Sequence, residues 1–515
     1  MPFFGSTNKI TFVGGMAVLI SAMMGPGIVT IPLLFQTAGW LTSILMFVIA
    51  IMLSVSSALL LCEAISSIPG NKRFSKKIEY IKLSQTLISN LFFQRLVEFF
   101  HYASLESLTI ASIILSSQSV DNLFVDLVNI TCGFGLYPDF GFVCVHKIGS
   151  ENSPFGNSWM LLTIGLIITL IIVIPMALME LSNNAKIQIV SFITMSLIMI
   201  IWVVTAILHG LNFNYVPIIG DEQSQVVGTV LFNYVLALTI SSVVSGLEKD
   251  VPIRKLVLSS TLIVTIFYLS LGIFGALAYK FETSANIIST IHRIETDNEF
   301  VQIATYLFPF ILIFSMSINA IVIRYNLIRS GICKSEKMAI FLTLLPWILV
   351  IPFQTGYWLA IFTNWTSIIF ISSSNFIIPF WLYILSQKRK LKITDVKLEK
   401  ELTEKKKVTA DIVPLKDVIV TTSSSHLSSP QSSLTPTKNI IISAKVEGEQ
   451  DEEEEYDEFT KLFPFKAFGC FEERDENKID NDNLRTLSIR IAWIASILSL
   501  LMIFWILIYN FIEFV

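Results

Sequence analysis

The stretch SAMMGPGIVTIPLLFQTAGW, Ser21 to Trp40, lies in an apolar run long enough to cross a bilayer, yet Gly25, Pro26 and Gly27 sit near the middle of that run. In hydrocarbon, every backbone N–H and C=O must be satisfied inside the protein. Proline removes a donor and disrupts an i→i−4 bond. Glycine on either side lets the chain leave helical geometry without steric penalty. A simple kink is the plainer alternative. With Gly14, Gly15 and Ser21 before the triplet and Pro32 after it, an unwound stretch is expected instead. Irregular backbone at mid-depth survives only where it is buried in protein or lines a cavity.

The rest of the chain has the composition this requires. Hydrophobic residues make up 53% of it, charged residues 15%, and the mean hydropathy is +0.68. Between Lys9 and Glu63 there is no charged residue. A spanning helix needs about 20 apolar residues, so this interval holds two spans joined by a turn at Gln36–Gly39. Apolar runs predict spans at 10–35, 41–66, 95–120, 158–178, 185–209, 226–247, 256–279, 299–324, 338–357, 359–386 and 488–513. That is roughly eleven helices of bilayer length, in an all-α polytopic membrane protein. The runs are too long for the strands of a β-barrel.

Lysine and arginine set the orientation. Lys72, Arg73, Lys76, Lys77, Lys82 and Arg95 follow the second span, Arg324, Arg329, Lys334 and Lys337 the eighth, and Lys388, Arg389, Lys390 and Lys392 the tenth. These loops are expected to be cytosolic. The N-terminus has no basic leader, and its apolar run outlasts a signal-peptide core. Residues 1–9 therefore read as a cytosolic tail and 10–386 as the core, with 488–515 as the last span and a short non-cytosolic tail. The loop 121–157 faces the other compartment. There Asn129-Ile130-Thr131 is a glycosylation sequon, and Cys132 and Cys144 can pair where disulfides are permitted. An unused sequon and two free thiols are the alternative.

Residues 387–487 differ in kind. A basic start passes through TTSSSHLSSPQSSLTPTK into the acidic run EGEQDEEEEYDE. Such composition cannot bury enough apolar surface to fold alone, so a disordered cytosolic linker is expected. Ser429-Pro430 and Thr435-Pro436 offer sites to a kinase. The aromatic run Phe459 to Phe471 offers a surface to a regulatory partner or the membrane, and Lys388–Lys392 can meet anionic headgroups.

An unwound helix exposes N–H groups and a positive dipole end to a carboxylate, and carbonyls to a cation or ammonium. Secondary transporters repeat such a break in two halves of inverted topology. The sixth span, VVGTVLFNYVLALTISSVVSGLEKDVP from Val226 to Pro252, has no central proline, and its only glycine before Gly246 is Gly228. A softer break is expected there, marked by Asn233, Thr239, Ser241 and Ser242.

GPGIVTIPLLFQTAGW resembles the first helix of the amino acid/auxin permease family. GLEKDVPIRK after the sixth span and Arg324-Tyr325-Asn326-Leu327 after the eighth are also similar to that family. The resemblance covers most of 8–385. It implies a LeuT-like five-plus-five inverted repeat with discontinuous helices 1 and 6, an eleventh helix outside it, and secondary transport of amino acids driven by a proton or sodium gradient. Carried onto this chain, Ser21, Met24, Gly25, Pro26 and Gly27 would face substrate, and Asn233, Thr239 and Ser241 would complete the pocket. Ser315, Ser317 and Asn319 of FSMSINA would wall a cation site; interhelical hydrogen bonding is their plainer role.

In the third span, Glu98, Tyr102, Glu106 and Thr109 share one helix face. Glu106 is near mid-span, where a charge is costly and an ionisable group is a functional candidate by default. Glu106 is thus a candidate to take and release a proton during transport; the alternative is a protonated carboxyl bonded to a neighbouring helix. No Cys/His spacing fits a metal, no GxxxxGK[ST] loop points to ATP, and no nucleophile–base constellation points to an enzyme. No cofactor and no nucleic acid partner are expected. The leading expectation is a transporter of neutral amino acids. The rival is an amino acid sensor signalling through 387–487. Plasma membrane and vacuolar or lysosomal membrane both fit.

Overall fold

The computed structural model describes residues 9–71, 74–137, 140–147, 153–156, 160–282, 286–295, 297–354, 358–390 and 481–514. Residues 1–8 of the expected tail lie outside them. So does 391–480 of the expected linker, with Ser429, Thr435 and the aromatic run 459–471. Among the described residues, nine helices are long and apolar enough to cross a membrane, and a bent pair makes up to ten. The protein is a polytopic all-α membrane protein.

The bent pair is the opening stretch. Helix α1 (Phe12–Met23) starts at Thr11, whose hydroxyl accepts from the Gly14 N–H at 3.2 Å. Its end is dictated locally. Pro26 has no N–H to give the Ala22 carbonyl, and the Gly25 N–H turns back to the Met23 carbonyl at 2.7 Å. A 3-10 turn (Pro26–Thr30) leads into α2 (Ile31–Ala38), and the two together, Pro26–Ala38, are bent 51° from α1. Gly39, at φ +89°, then turns the chain into α3 (Trp40–Ser66). A side chain is strained in that region, and a Cβ on Gly39 would lie 2.7 Å from the Ile218 carbonyl oxygen.

After α4 (Tyr80–Leu87), the long α5 (Leu91–Val128) leads into a small antiparallel sheet. Its strands are β1 (Thr131–Gly135), β2 (Gly141–Val145) and β3 (Leu161–Thr163), in the order β2-β1-β3. Cys132 pairs opposite Cys144 in the register, and the two sulfurs are bonded. The fourth expected span departs from its reading at 158–178. Residues 161–163 join the sheet, and the Gly165 N–H donates to buried Asp121 at 2.8 Å. The helix that remains, α6 (Ile164–Ala177), has 14 residues. At 1.5 Å per residue it is about 21 Å long, shorter than the hydrocarbon core.

Next comes α7 (Leu181–His209). The sixth span is broken too, into α8 (Ser224–Asn233) and α9 (Ala237–Val244), with Tyr234 to Leu236 unwound between them. Then come α10 (Ile253–Ala278), the short amphipathic α11 (Ile287–Ile294) and α12 (Glu299–Arg329). The ninth span joins α13 (Glu336–Thr343) and α14 (Pro346–Leu349). The tenth starts as α15 (Trp358–Thr366) and continues through the π-helical turns Ser367–Ile371 and Ser373–Ile377 to Lys390. The last helix is α16 (Asn481–Phe514). It docks through a 2.9 Å Tyr383–Ser488 hydroxyl contact and through Ile503 on Ile368.

The two broken spans lie at the centre. In the most apolar part of α8–α9, 94% of residues are buried, against 28% for the ninth span. The broken spans are tied at both ends. At one end, Ile10 N–H donates to the Gly246 carbonyl at 2.9 Å and Glu248 N–H to the Ile10 carbonyl at 3.0 Å. At the other, Gly220 N–H donates to the Ala38 carbonyl at 2.9 Å and Trp40 N–H to the Pro217 carbonyl at 3.1 Å.

The Arg324-Tyr325-Asn326 motif holds one end of the bundle. Arg324 donates to the Leu178 and Met179 carbonyls at the end of α6, at 2.9 and 2.6 Å. The Tyr325 hydroxyl accepts from Leu181 N–H at 3.1 Å, and Asn326 Oδ1 accepts from Ile81 N–H at 3.1 Å. Beside them, Arg329 pairs with fully buried Glu79, which also accepts from the Ser242 hydroxyl of α9. Burial pushes the Glu79 carboxyl above the usual carboxylate range, against the pull of Arg329 and Ser242.

Candidate functional site

The two breaks meet. A Cβ on Gly27 would lie 2.6 Å from Asn233 Nδ2 and 2.7 Å from Asn233 Oδ1. Any side chain at that position would force the Asn233 amide to shift, because the backbone of the first break rests on the side chain that ends α8. Asn233 Nδ2 donates to the Thr229 carbonyl at 2.8 Å, while its Oδ1 is buried and has no hydrogen-bond partner. Such an acceptor is costly to leave empty.

Tyr268 of α10 joins the breaks a second time. Its hydroxyl is 2.7 Å from the Met23 carbonyl oxygen and 3.2 Å from the Asn233 carbonyl oxygen. In an unbroken helix the Asn233 carbonyl would accept from Ala237 N–H. That N–H goes instead to Asn375 Oδ1 at 2.7 Å, together with Leu236 N–H at 3.0 Å. Asn375 Nδ2 in turn donates to the Tyr234 carbonyl at 2.7 Å, which also accepts from the Ser54 hydroxyl at 2.9 Å. One amide side chain thus replaces the lost helical bonds of the second break, as buried backbone in a membrane demands. Asn375 lies in the second π-helical turn of the tenth span, a helix type that collects at functional sites.

A cavity of about 10 Å³ opens beside the first break, room for about one water molecule. It is lined by Ile20, Ser21 and Met24 of the first span, by Ser191 and Met195 of α7, and by Ser315 of α12. Ser191 Oγ is buried and without a hydrogen-bond partner. The sequence-derived residues therefore fall into groups. Ser21, Met24 and Ser315 share the cavity. Gly27 and Asn233 touch each other, with Gly25 and Pro26 between these groups in the chain. Thr239 is buried and bonds back to the Leu236 carbonyl at 3.3 Å. Ser241 Oγ is buried with no hydrogen-bond partner.

Ser317 faces a different set: it accepts from Asn184 Nδ2 at 2.7 Å and donates to the Phe314 carbonyl at 2.6 Å. Asn319 is buried one turn beyond Ser315. Glu106 does not line the cavity, and its Oε2 is buried without a hydrogen-bond partner. Its expected neighbour on the same face, Glu98, is paired to Arg95 at 2.7 Å and to Gln85 at 3.0 Å. Asn129 is exposed at the end of α5, at φ +58°.

Sequence reasoning missed Tyr268, Asn375 and Ser54. A signal for Asn375 was present. Ser372 to Asn375 is a polar run inside an apolar span, where each polar side chain needs a partner. Tyr268 gave no comparable signal, because one tyrosine in IFYLSLG reads as apolar packing.

A family model described as transmembrane amino acid transporter protein matches residues 8–394. No curated protein matches the chain.

Proposed function

The chain belongs to the transmembrane amino acid transporter family, and from that premise we propose that it is a secondary active transporter of neutral amino acids, working by alternating access and coupled to a proton or sodium gradient. The observation that carries this reading is the approach of the Met23 and Asn233 carbonyls to one Tyr268 hydroxyl. A hydroxyl has a single proton to give, so two backbone acceptors, one from each break, share one donor. A substrate ammonium brings three. The half-helix that starts at Pro26 turns its positive end toward the same break and suits a carboxylate. Ser21, Met24, Gly25, Pro26, Gly27, Asn233, Thr239 and Ser241 carry no charge, which favours a neutral side chain on the substrate.

The breaks lie five spans apart and their spans are tied at both ends, which supports a LeuT-like inverted repeat with α16 outside it. In the same reading the Lys- and Arg-rich loops and residues 387–487 face the cytosol, and the disulfide-linked hairpin, with Asn129 as a glycosylation site, faces the other compartment. Ser315 beside the cavity is a candidate ion ligand, and Glu106 a candidate proton carrier.

The test is uptake of radiolabelled amino acids into proteoliposomes under an imposed pH gradient or, separately, a sodium gradient. Uphill accumulation under one gradient is expected. If the proton is the coupling ion, Glu106→Gln abolishes the pH-driven part. Folded protein that accumulates no amino acid under either gradient contradicts the transport reading and favours a sensor.

A further inference from the structure

Helix α11 sits over the first break at the end of the bundle that carries the disulfide-linked hairpin. It packs against the Pro26–Thr30 turn and against α12. Ile287, Ile288, Thr290 and Ile291 form its buried face, and Ile287 and Pro32 converge on Gly275 of α10. A Cβ there would lie 3.0 Å from Ile287 Cδ1 and 3.1 Å from Pro32 Cγ. The C-terminal half of α11 is held by two histidine–carboxylate pairs to different neighbours. His292 of α11 is 3.4 Å from Asp126 at the end of α5, and Tyr306 of α12 donates to the same carboxylate. His209 at the end of α7 is 2.9 Å from Glu295, the residue that caps α11. The Tyr279 hydroxyl donates to that same Glu295 oxygen at 3.2 Å, and the His209 ring lies tilted against the Tyr279 ring, with centroids 4.9 Å apart.

We propose that α11 is a proton-sensitive lid over the broken first helix, clamped by His209–Glu295 and His292–Asp126 when the compartment on its side is acidic and released when that compartment is neutral. This rests on the transport reading for its purpose, but not for its geometry. Imidazole is the side chain whose charge changes between about pH 5 and 8. Neutral, each histidine shares a hydrogen bond with its carboxylate; protonated, it forms an ion pair with it, and charge-assisted bonds are the stronger kind. The other groups facing these pairs are an amide, two phenols, an arginine–carboxylate pair and exposed carboxylates. Gln302 of α12 meets His292 Nδ1 at 2.7 Å, Tyr306 and Tyr279 are phenols, and Arg293 of α11 is paired with Glu282 at 2.7 Å on the exposed side. Asp297 and Glu299 beyond α11 are exposed carboxylates. The Pro26–Thr30 turn beneath the lid brings no titratable side chain. The side chains of both pairs are partly exposed, between 17% and 37%, so each pair shifts the closed-to-open ratio by at most about fivefold.

The experiment is an electron-spin distance measurement on the full chain in lipid nanodiscs. Spin labels are placed at Phe213→Cys, in the loop after α7, and Ile294→Cys on α11, both exposed, with Cys62, Cys333 and Cys470 changed to alanine. The expected result is a closed population that grows as pH falls from 8 to 5.5. In His209→Gln or His292→Gln alone the change shrinks, and in the double variant it is lost. A distance distribution that does not change with pH, or one whose pH response survives in the double variant, overturns the proposal. Uptake by the same purified proteins reconstituted in proteoliposomes separates the two readings. A pH-responsive lid without amino acid flux leaves the lid standing and removes the transport reading; flux with a pH-blind lid does the reverse.

Discussion

Gly25 and Gly27 look equivalent in the sequence and differ in the structure. A Cβ on Gly25 meets only the Met23 carbonyl oxygen, at 3.9 Å, whereas one on Gly27 falls within 3.0 Å of three Asn233 atoms. Gly25→Ala is therefore expected to keep most of its uptake. Gly27→Ala overpacks a buried contact, which costs about 1–3 kcal/mol, and is expected to lose about tenfold or more of its uptake rate while still melting cooperatively. Side-by-side proteoliposome rates check the difference. The sequence marked where the chain unwinds because glycine and proline act locally. It did not mark which glycine touches Asn233, because that contact joins residues 206 positions apart (233 less 27). Glu79 makes the same point for charge. It sits in a loop that reads as solvated and basic, yet it is fully buried against Arg329 and Ser242. Arg329→Ala leaves that carboxyl buried without its cation, a loss of about 3–5 kcal/mol. Burial raises the folded-state value of Glu79 above the unfolded one, so folding then favours the protonated form. The stability of the variant is present below the unfolded value and falls as pH rises through the folded one. Melting temperatures in detergent at pH 5 and pH 8 should show a larger deficit at pH 8.

At the scale of elements, the two breaks are stabilised from outside their own spans. The first break announces itself through Gly25-Pro26-Gly27; the second has neither glycine nor proline and was legible only as a cluster of polar residues. Its cause lies in the tenth span, where Asn375 takes the Leu236 and Ala237 N–H groups and supplies a donor to the Tyr234 carbonyl. Asn375→Leu removes all three bonds and is expected to abolish uptake. Asn375→Asp keeps the acceptor and should retain more activity than the leucine variant. Tyr268→Phe removes the donor shared by the breaks. An unmet buried acceptor costs about 1–3 kcal/mol, so the melting temperature is expected to fall and apparent substrate affinity to change by about tenfold or more. Concentration-dependent uptake reads both. The fourth span was misjudged for a related reason: its apolar run reaches back to residue 158, but β1 recruits Leu161–Thr163 into the sheet before the helix can begin.

For the whole molecule, membrane insertion was legible from hydropathy alone, because bilayer thickness fixes the length of an apolar helix. Which spans are central was not, since lipid-facing and protein-facing helices have similar composition. Burial separates them, with α8–α9 innermost and the ninth and last spans outermost. The last helix keeps its own contacts through Ser488 and Ile503. Replacing residues 391–480 by a flexible glycine–serine chain of equal length is therefore expected to leave proteoliposome uptake within about twofold of native, because the last helix is held by those contacts of its own. Abolished uptake would instead favour a role for that segment in the transport cycle. The central claim is that the meeting point of the two breaks holds the substrate. The most direct test is equilibrium binding of radiolabelled neutral amino acids to purified wild-type, Gly25→Ala and Gly27→Ala proteins. Saturable binding to the wild type and Gly25→Ala, lost or strongly weakened in folded Gly27→Ala, is the predicted result; equal binding by all three would contradict it.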